Sequence, residues 1–149
     1  MKELKMNKLS LFEDELKSKE TKYFIFDSNK KEVNKNNLEF SKHGWDTSKF
    51  NKVRPGDLFL YRRPLKTSEL KKFYFFGAGK IESINKCDGS NVIGIIVKPL
   101  KFDKFILQTD VENFRWEFKE RNNNWKNFFN QGGITQITKS DFERIIEIL

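Results

Sequence analysis

Five cations within residues 62–72 are the side chains whose chemistry the sequence suggests most directly. Arg62 and Arg63 follow the apolar run Leu58–Tyr61, so we expect them to emerge where a strand ends at the mouth of a barrel. A guanidinium can hold phosphate through two hydrogen bonds, but neighbouring residues of an extended chain face opposite sides. One arginine is therefore predicted to face a ligand while the other packs or pairs elsewhere. The predicted phosphate-binding set is Arg62, Arg63, Lys66, Lys71 and Lys72. The alternative is that these residues form a solvated loop.

Aromatic side chains are the second set that could bind a ligand. Trp45 lies in a polar stretch between His43 and Asp46, where an exposed ring could stack on a nucleobase. The chain does not need this ring for its interior, because its 16 Phe residues and its aliphatic residues can supply a core. A core-filling role is nevertheless the alternative for Trp45, and it is our prediction for Trp116 and Trp125.

The sequence gives little support for catalysis. His43 is the only histidine, and a histidine-based triad needs a positioned nucleophile and a third orienting group. Gly77–Lys80 lacks the remaining glycine of a dinucleotide fingerprint, and the single Cys87 excludes an internal disulfide or a multi-cysteine zinc site. We therefore predict no catalytic residue, no metal site and no cofactor. An Asp…Glu-x-Lys carboxylate site, as in a small nuclease or toxin, is an alternative that the sequence leaves open.

The charge balance favours an anionic partner. The 149-residue chain has 29 Lys and Arg against 21 Asp and Glu, and a net charge of +8 attracts polyanions. Aromatic residues make up 15% of the chain, which distinguishes it from disordered polar chains that cannot offset their ordering entropy. Together these features favour nucleic acid. The other source of the charge would be the Lys- and Asn-rich composition typical of an AT-rich genome.

The hydropathy pattern bears on where the protein works. No apolar segment approaches the ~18–20 residues of a membrane span, and the basic N-terminus lacks the apolar segment of a signal peptide. We expect a soluble, cytoplasmic protein with no membrane partner. The length fits a single domain over residues 1–149, and the apolar residues of its last helix would also fit a piece of a larger protein.

Strands and terminal helices must position these side chains. Apolar runs predict strands at Lys22–Asp27, Leu58–Tyr61, Phe73–Phe76, Val92–Val97, Phe105–Gln108 and Ile134–Ile137. Alternating apolar residues predict a further strand within residues 113–124. An apolar face at spacings of three and four predicts a helix within residues 8–20. Ser140 and Glu143 have the spacing of a capping box for a C-terminal helix.

Glycine and proline mark the predicted connections. Pro55–Asp57 predicts a turn into the second strand, and Asp88-Gly89 predicts a hairpin turn. Gly77 and Gly79 predict a bulge or a close backbone approach within the third strand. Pro99 is predicted to end the strand that precedes it.

Two polar segments complete the predicted fold. Residues 29–37 are Lys- and Asn-rich and predict a loop, whereas residues 40–50 predict an ordered loop or a short helix. The predicted architecture is α+β, with five to seven strands in a curved antiparallel sheet or open barrel and helices at both chain ends.

The order of these features resembles the PUA-like superfamily. A strand at Tyr23–Asp27 precedes a tryptophan-containing loop, and Val53–Asp57 leads into Leu58–Tyr61 and then into Phe76–Ile81. The pattern that is similar to EVE domains consists of Gly56, Asp57, Tyr61, Gly77, Gly79 and Ile81. The chain looks most like the readers of modified bases of the EVE, YTH and SRA type. More specifically, it looks like the specificity domain that precedes HNH nuclease domains in some bacterial modification-dependent restriction endonucleases.

This resemblance implies an open β-barrel that binds a flipped base between stacking walls. By position in the pattern, the pocket would be lined by Asp27, Ser28, Trp45 and Tyr61. The implied partner is double-stranded DNA with a modified base, most specifically a methylated cytosine. Residues 62–64 and the long segment 29–37 depart from the EVE pattern, so the base mark, and DNA against RNA, are left open.

We therefore predict a binding domain that is not itself an enzyme and that serves as the specificity module of a modification-dependent restriction endonuclease. No HNH residues are present, so cleavage would belong to another segment. An RNA-binding PUA-like module is the first alternative, and a small nuclease or toxin is the second.

Overall fold

The computed structural model describes residues 8–28, 40–64, 68, 70, 72–112, 116–117 and 133–149. The architecture is α+β, and one curled six-stranded mixed sheet forms a half-barrel. The helices are α1 (Glu13–Lys17) and α2 (Lys139–Ile148), with a 3-10 helix at Gln108–Val111. The strands are β1 (Tyr23–Asp27), β2 (Lys42–Asp46), β3 (Leu58–Arg63), β4 (Tyr74–Lys86), β5 (Asn91–Leu107) and β6 (Ile134–Ile137). The predicted loop at 29–37 and Trp125 lie outside the described residues, as does the predicted strand at 113–124 except for Trp116 and Glu117, which are not in a strand.

The strands are ordered β2-β5-β4-β3-β1-β6 across the sheet. All neighbouring pairs are antiparallel except β1 and β3, which run parallel from Tyr23 opposite Leu58 to Asp27 opposite Arg62. The prediction of an antiparallel sheet is therefore wrong for this one pair of strands. The chain leaves β1, contributes β2 to the far edge of the sheet and returns as β3. A long connection of this kind lets two neighbouring strands run parallel.

Residues 40–50 contain a strand, so the prediction of a loop or short helix there is wrong. β2 pairs antiparallel with β5 and places Trp45 opposite Val92. Its buried residues, His43 and Trp45, alternate with partly exposed ones. The alternation of buried and exposed residues that marks a strand rests here on only two side chains, and Gly44 lies between them. The sequence pattern is therefore too weak to predict this strand.

β4 and β5 form a long hairpin. The predicted turn at Asp88-Gly89 is confirmed, with Gly89 at a φ of 58° and the Cys87 amide donating to the Asn91 carbonyl at 2.9 Å. The prediction that Pro99 ends its strand is wrong, because β5 continues to Leu107. The register of β4 against β5 shifts opposite this proline. Proline has no backbone N–H to donate, so it is tolerated where the hydrogen bonding between strands is already irregular. Residues 105–107 of the predicted strand at 105–108 are the last part of β5, and Gln108 begins the 3-10 helix.

The two glycines of β4 have the close contacts that the sequence predicts. The register of β4 against β5 shifts between Phe75 and Gly77 and again beyond Ala78. A Cβ at Gly79 would lie 2.9 Å from the Phe59 ring, and one at Gly77 would overlap the ring of Phe40. The bulge and the close approach are therefore both confirmed.

The turn before β3 is also confirmed, and a buried carboxylate fixes it. Gly56 has a φ of 99°, a conformation that glycine adopts without strain. Asp57 is 3% exposed and accepts hydrogen bonds from the amides of Lys22 at 3.0 Å and of Arg54 at 2.8 Å. Burial raises the pKa of Asp57, and these backbone hydrogen bonds oppose the rise. The carboxylate thereby holds the start of β1 beside the start of β3.

Each face of the sheet carries its own core. The outer face lies under the helices, and its core includes Phe12, Tyr23, Ile25, Leu58, Leu60, Phe75, Trp116, Phe142 and Ile146. The inner face is lined by Phe24, Phe26, Trp45, Phe59, Tyr61, Tyr74, Phe76, Ile81, Val92, Ile96 and Ile134. Trp116 is 1% exposed, which confirms the prediction of a core role.

Both terminal helices pack on the outer face. Residues 8–10 are helical and α1 follows them, so the predicted helix is present but interrupted. Phe12 at the interruption is fully buried and meets Phe142 of α2 edge-on at 5.6 Å. α2 is capped by Thr138 and Asp141, so the capping box has the predicted spacing but begins two residues before Ser140. No helix within the described ranges is long and apolar enough to cross a membrane.

Candidate nucleic-acid interface

Both arginines lie within β3 and not beyond its end. Arg62 and Arg63 are 3% and 6% exposed, so the prediction that they emerge at an open mouth is wrong. The reason is that β3 is an interior strand, which pairs with β1 as far as Arg62 and with β4 as far as Arg63. The prediction that the two face opposite sides is correct. The Arg62 guanidinium lies 5.1 Å from the Phe73 ring on the outer face, and that of Arg63 lies 4.4 Å from Phe76 on the inner face.

Arg62 forms an ion pair with Asp27, whose carboxylate was predicted to line the base pocket. Its Nε donates to Asp27 Oδ1 at 2.5 Å and its second terminal nitrogen donates to Oδ2 at 2.7 Å. Burial raises the pKa of Asp27, and the guanidinium opposes that rise by stabilising the carboxylate. Because Asp27 pairs with Arg62 on the outer face, the structure does not bring it together with Trp45 and Tyr61 on the inner face.

Trp45 packs inside the half-barrel. It is 9% exposed and its ring lies 5.9 Å from that of Phe26. Gly94 on β5 makes room for it, since a Cβ there would be 2.9 Å from the indole. The core-filling alternative therefore describes this ring, and the alternation of β2 explains why a residue with polar neighbours is turned inward.

Three of the predicted residues meet at the end of β3. Arg63 donates to the carbonyl of Ser28 at 2.8 Å, and the Ser28 amide donates to the carbonyl of Arg62 at 2.9 Å. Tyr61 is fully buried and stacks on Phe76 with 5.2 Å between ring centroids and 2° between planes. The Phe76 ring thus links Tyr61 to Arg63, and Arg63 in turn is hydrogen-bonded to Ser28.

These contacts belong to a longer chain of rings, which we call the aromatic row. It consists of Phe40, Tyr61, Phe76, Tyr74 and Phe105. Phe40 meets Tyr61 edge-on at 5.2 Å, and Tyr74 stacks on Phe105 at 4.4 Å. The row leads outward from Tyr61, which is fully buried, to Phe105, which is 43% exposed. It therefore connects the interior of the half-barrel with solvent.

Two cations lie on this row. Arg63 lies over Phe76, and the Lys101 ammonium lies 5.5 Å from the centre of the Phe40 ring. Cations near ring faces are attracted by the electrons of the ring, and stacking with cationic support is how proteins commonly hold bases. Lys72, from the predicted phosphate-binding set, is exposed, whereas Lys66 and Lys71 lie outside the described residues.

The sequence analysis missed five members of this arrangement. They are Phe40, Tyr74, Phe76, Phe105 and Lys101. The run Lys101–Phe105 (KFDKF) interleaves cations with aromatic residues and could have drawn attention to β5.

Comparisons with known proteins place the chain in no family: no protein-family model and no curated protein matches it. The resemblance to PUA-like domains therefore stays a prediction. Among the described residues, no group of three or more His, Cys, Asp and Glu side chains could hold a metal ion.

Proposed function

We propose that this chain is a nucleic-acid-binding module that receives an unstacked base at the aromatic row, with double-stranded DNA carrying a modified cytosine as its ligand. In a larger protein it would act as the specificity module of a modification-dependent restriction endonuclease. The observation that carries the proposal is the group of Tyr61, Phe76 and Arg63, where a guanidinium covers one of two parallel rings.

The chemistry of this group suits a base. A base that leaves its stack loses a few kcal/mol, which a binding site must offset with ring contacts and polar groups. Parallel aromatic rings supply the ring contacts, at roughly 1–3 kcal/mol per stacked base. Arg63 places a guanidinium beside these rings, where it donates to the Ser28 carbonyl at 2.8 Å. The inner end of the row therefore combines ring and polar contacts of the kinds that base recognition needs, and because Tyr61, Arg63 and Phe76 are 0%, 6% and 7% exposed, these side chains would have to separate for a base to enter.

The charge of the chain suits the phosphates. Lys101 lies beside Phe40 of the row, and the exposed Lys72 and Lys104 lie close in sequence to Tyr74 and Phe105, in a protein of net charge +8. Lys66 and Lys71 remain part of the proposed phosphate-binding set. In this proposal Arg62 has a different role: with Asp27 it fixes the ends of β1 and β3 beneath the base site.

The test compares three ligands of equal length at physiological salt: a duplex with a methylated cytosine, the same duplex without the mark, and an RNA hairpin. We expect the marked duplex to bind most tightly in a fluorescence anisotropy titration. Equal affinity for the two duplexes would exclude a modified-base reader. Tightest binding of the hairpin would favour the RNA-binding alternative, and metal-dependent cleavage by the chain alone would favour the nuclease.

A matched pair of variants localises the binding. Phe40 and Phe50 are both partly buried and both pack on the inner-face core. Phe40 belongs to the aromatic row, whereas Phe50 meets Phe24 at 5.7 Å. We expect Phe40→Ala to weaken binding of the marked duplex and Phe50→Ala to leave it within about twofold of wild type, although both truncations lower stability. An equal weakening of binding by the two variants would show that the row is not the site.

A further inference from the structure

We infer that the outer end of the aromatic row is a stacking position for an unpaired base of single-stranded nucleic acid, formed by Phe105 with Lys101 and Lys104. This inference rests on the nucleic-acid binding proposed above. It adds a second place where a base can stack, and it names single-stranded nucleic acid as the ligand of that place.

The Phe105 ring is exposed and yet fixed in orientation. It has 43% of its surface in solvent, while it stacks on Tyr74 with 4.4 Å between centroids and 13° between planes. Tyr74 is 2% exposed, so the support beneath the ring is part of the inner-face core. A ring held in this way loses little conformational freedom when a base stacks on its exposed part. The position is therefore organised before a ligand arrives.

An irregularity of β5 presents this ring. Phe75 of β4 lies opposite Ile106, and Gly77 lies opposite Lys101, so the four residues 102–105 of β5 face a single residue of β4. Phe102 anchors this stretch in the outer-face core, while residues 103–105 are exposed. Bulges re-aim side chains and are common beside binding sites. Here the extra residues turn Phe105 toward solvent beside the row.

The surroundings of Phe105 fit a nucleic acid better than a protein partner. Lys101 and Lys104 are exposed on the same stretch, with Asp103 as the carboxylate between them, and Lys72 is exposed two residues before Tyr74. The other exposed large apolar residues within the described ranges are Leu70 and Ile148. An aromatic ring flanked by cations, without a broad apolar surface, matches the combination of stacking and phosphate contacts that single strands use.

The test measures binding of oligo(dT) and oligo(U), each of about 16 nucleotides, to the full chain and four variants. We expect Phe105→Ala and Phe105→Leu to bind roughly 5- to 150-fold more weakly than wild type. Phe105→Trp should bind at least as tightly as wild type. Ile148→Ala removes an apolar side chain of similar exposure (38%) from α2 on the outer face and should change nothing. The two oligonucleotides differ in sugar, so their ratio tells whether DNA or RNA supplies the strand.

Phe105→Leu decides the inference, because leucine keeps an apolar side chain but cannot stack as a flat ring. Circular dichroism and a thermal melt verify that each variant is folded. Wild-type affinity of Phe105→Leu, or no binding of either oligonucleotide by wild type, would overturn the inference. If wild type still prefers the marked duplex in that case, the proposed function is supported and only the stacking position at Phe105 is rejected. If the oligonucleotides bind through Phe105 but the two duplexes bind equally, only the modified-base proposal fails.

Discussion

The imidazole of His43 stacks on the ring of Phe26, with 4.6 Å between ring centroids and 14° between planes. His43 belongs to β2, at one edge of the sheet, and Phe26 belongs to β1, one strand from the other edge. Their contact therefore joins distant strands across the inner face, which is possible because the sheet is curled. The only histidine of the chain, 7% exposed, packs in this structure as an aromatic ring of the core.

Trp45 neighbours this contact, and its truncation tests whether the inner face is a packed core. We expect Trp45→Ala to lower the free energy of unfolding by about 3–5 kcal/mol, because it leaves a cavity between Phe26 and Gly94. Urea denaturation measures the change, and Trp45→Phe should cost clearly less because it keeps a ring. A fully stable Trp45→Ala with impaired nucleic-acid binding would instead restore this residue to the base pocket.

Asp27 and Arg62 allow a double-mutant cycle. Their side chains are 11% and 4% exposed, and removal of one partner leaves a charge that is buried without compensation. We expect Asp27→Leu and Arg62→Met each to cost about 3–5 kcal/mol of unfolding free energy, and the double variant to cost much less than their sum.

The same double variant separates the structural from the ligand-binding interpretation of Arg62. If Arg62 held phosphate, the double variant would lose nucleic-acid affinity even where it is stable. We expect instead that its anisotropy titration with duplex DNA matches that of wild type. Additive costs of the two single changes would contradict the ion pair.

The sequence could predict those elements whose local pattern and final environment agree. β1, the start of β3 and β6 are short apolar runs, and α2 combines an apolar face with a capping box. Gly77 and Gly79 could be predicted because glycine inside an apolar strand usually reports a close contact. In each case the information lies within a few neighbouring residues.

The remaining features depend on partners that are distant in sequence. From the sequence, Arg62 and Arg63 were predicted to be exposed at the end of a strand. Their partners, Asp27 of β1 and Phe76 of β4, are contributed by other strands, so the residues around the two arginines do not predict these contacts. β2 is a strand because β5 pairs with it, although its own polar residues favour a loop. The aromatic row joins residues from positions 40 to 105, so no local motif could reveal it.

Glu15 gives the protein a predictable dependence on acid. Its carboxylate, 6% exposed, lies 2.7 Å from the Lys80 ammonium and 3.0 Å from that of Lys98, which tie α1 to β4 and β5. Burial alone would raise the pKa of Glu15, but the hydrogen bonds from both lysines outweigh it and hold the pKa below the usual 4.5. A lowered pKa stabilises the folded state above the unfolded pKa, and that contribution disappears as pH falls through the folded pKa.

Glu15→Gln removes this contribution at every pH. We therefore expect the difference in unfolding free energy between wild type and Glu15→Gln to be largest at neutral pH and to shrink as the pH falls below about 4.5. Urea titrations of both proteins at a series of pH values measure it. Asp46, whose pKa is lowered to about 2 by hydrogen bonds from Ser90 and Ser48, contributes equally to both proteins and cancels. A difference that does not change with pH would contradict the ion pair.

Lys101 and Lys86 are a matched pair for testing where phosphates bind. Both are exposed lysines of the β4–β5 hairpin, but Lys101 lies beside Phe40 of the aromatic row and Lys86 lies next to the turn. Removing one lysine that pairs with a phosphate reduces the slope of log affinity against log salt by about 0.9 for duplex DNA. We expect Lys101→Ala to weaken binding and to reduce the slope by about that amount, while Lys86→Ala leaves both unchanged. Equal slopes for the two variants would mean that the charge of the chain acts as a diffuse field. Phosphates would then not bind preferentially beside the aromatic row.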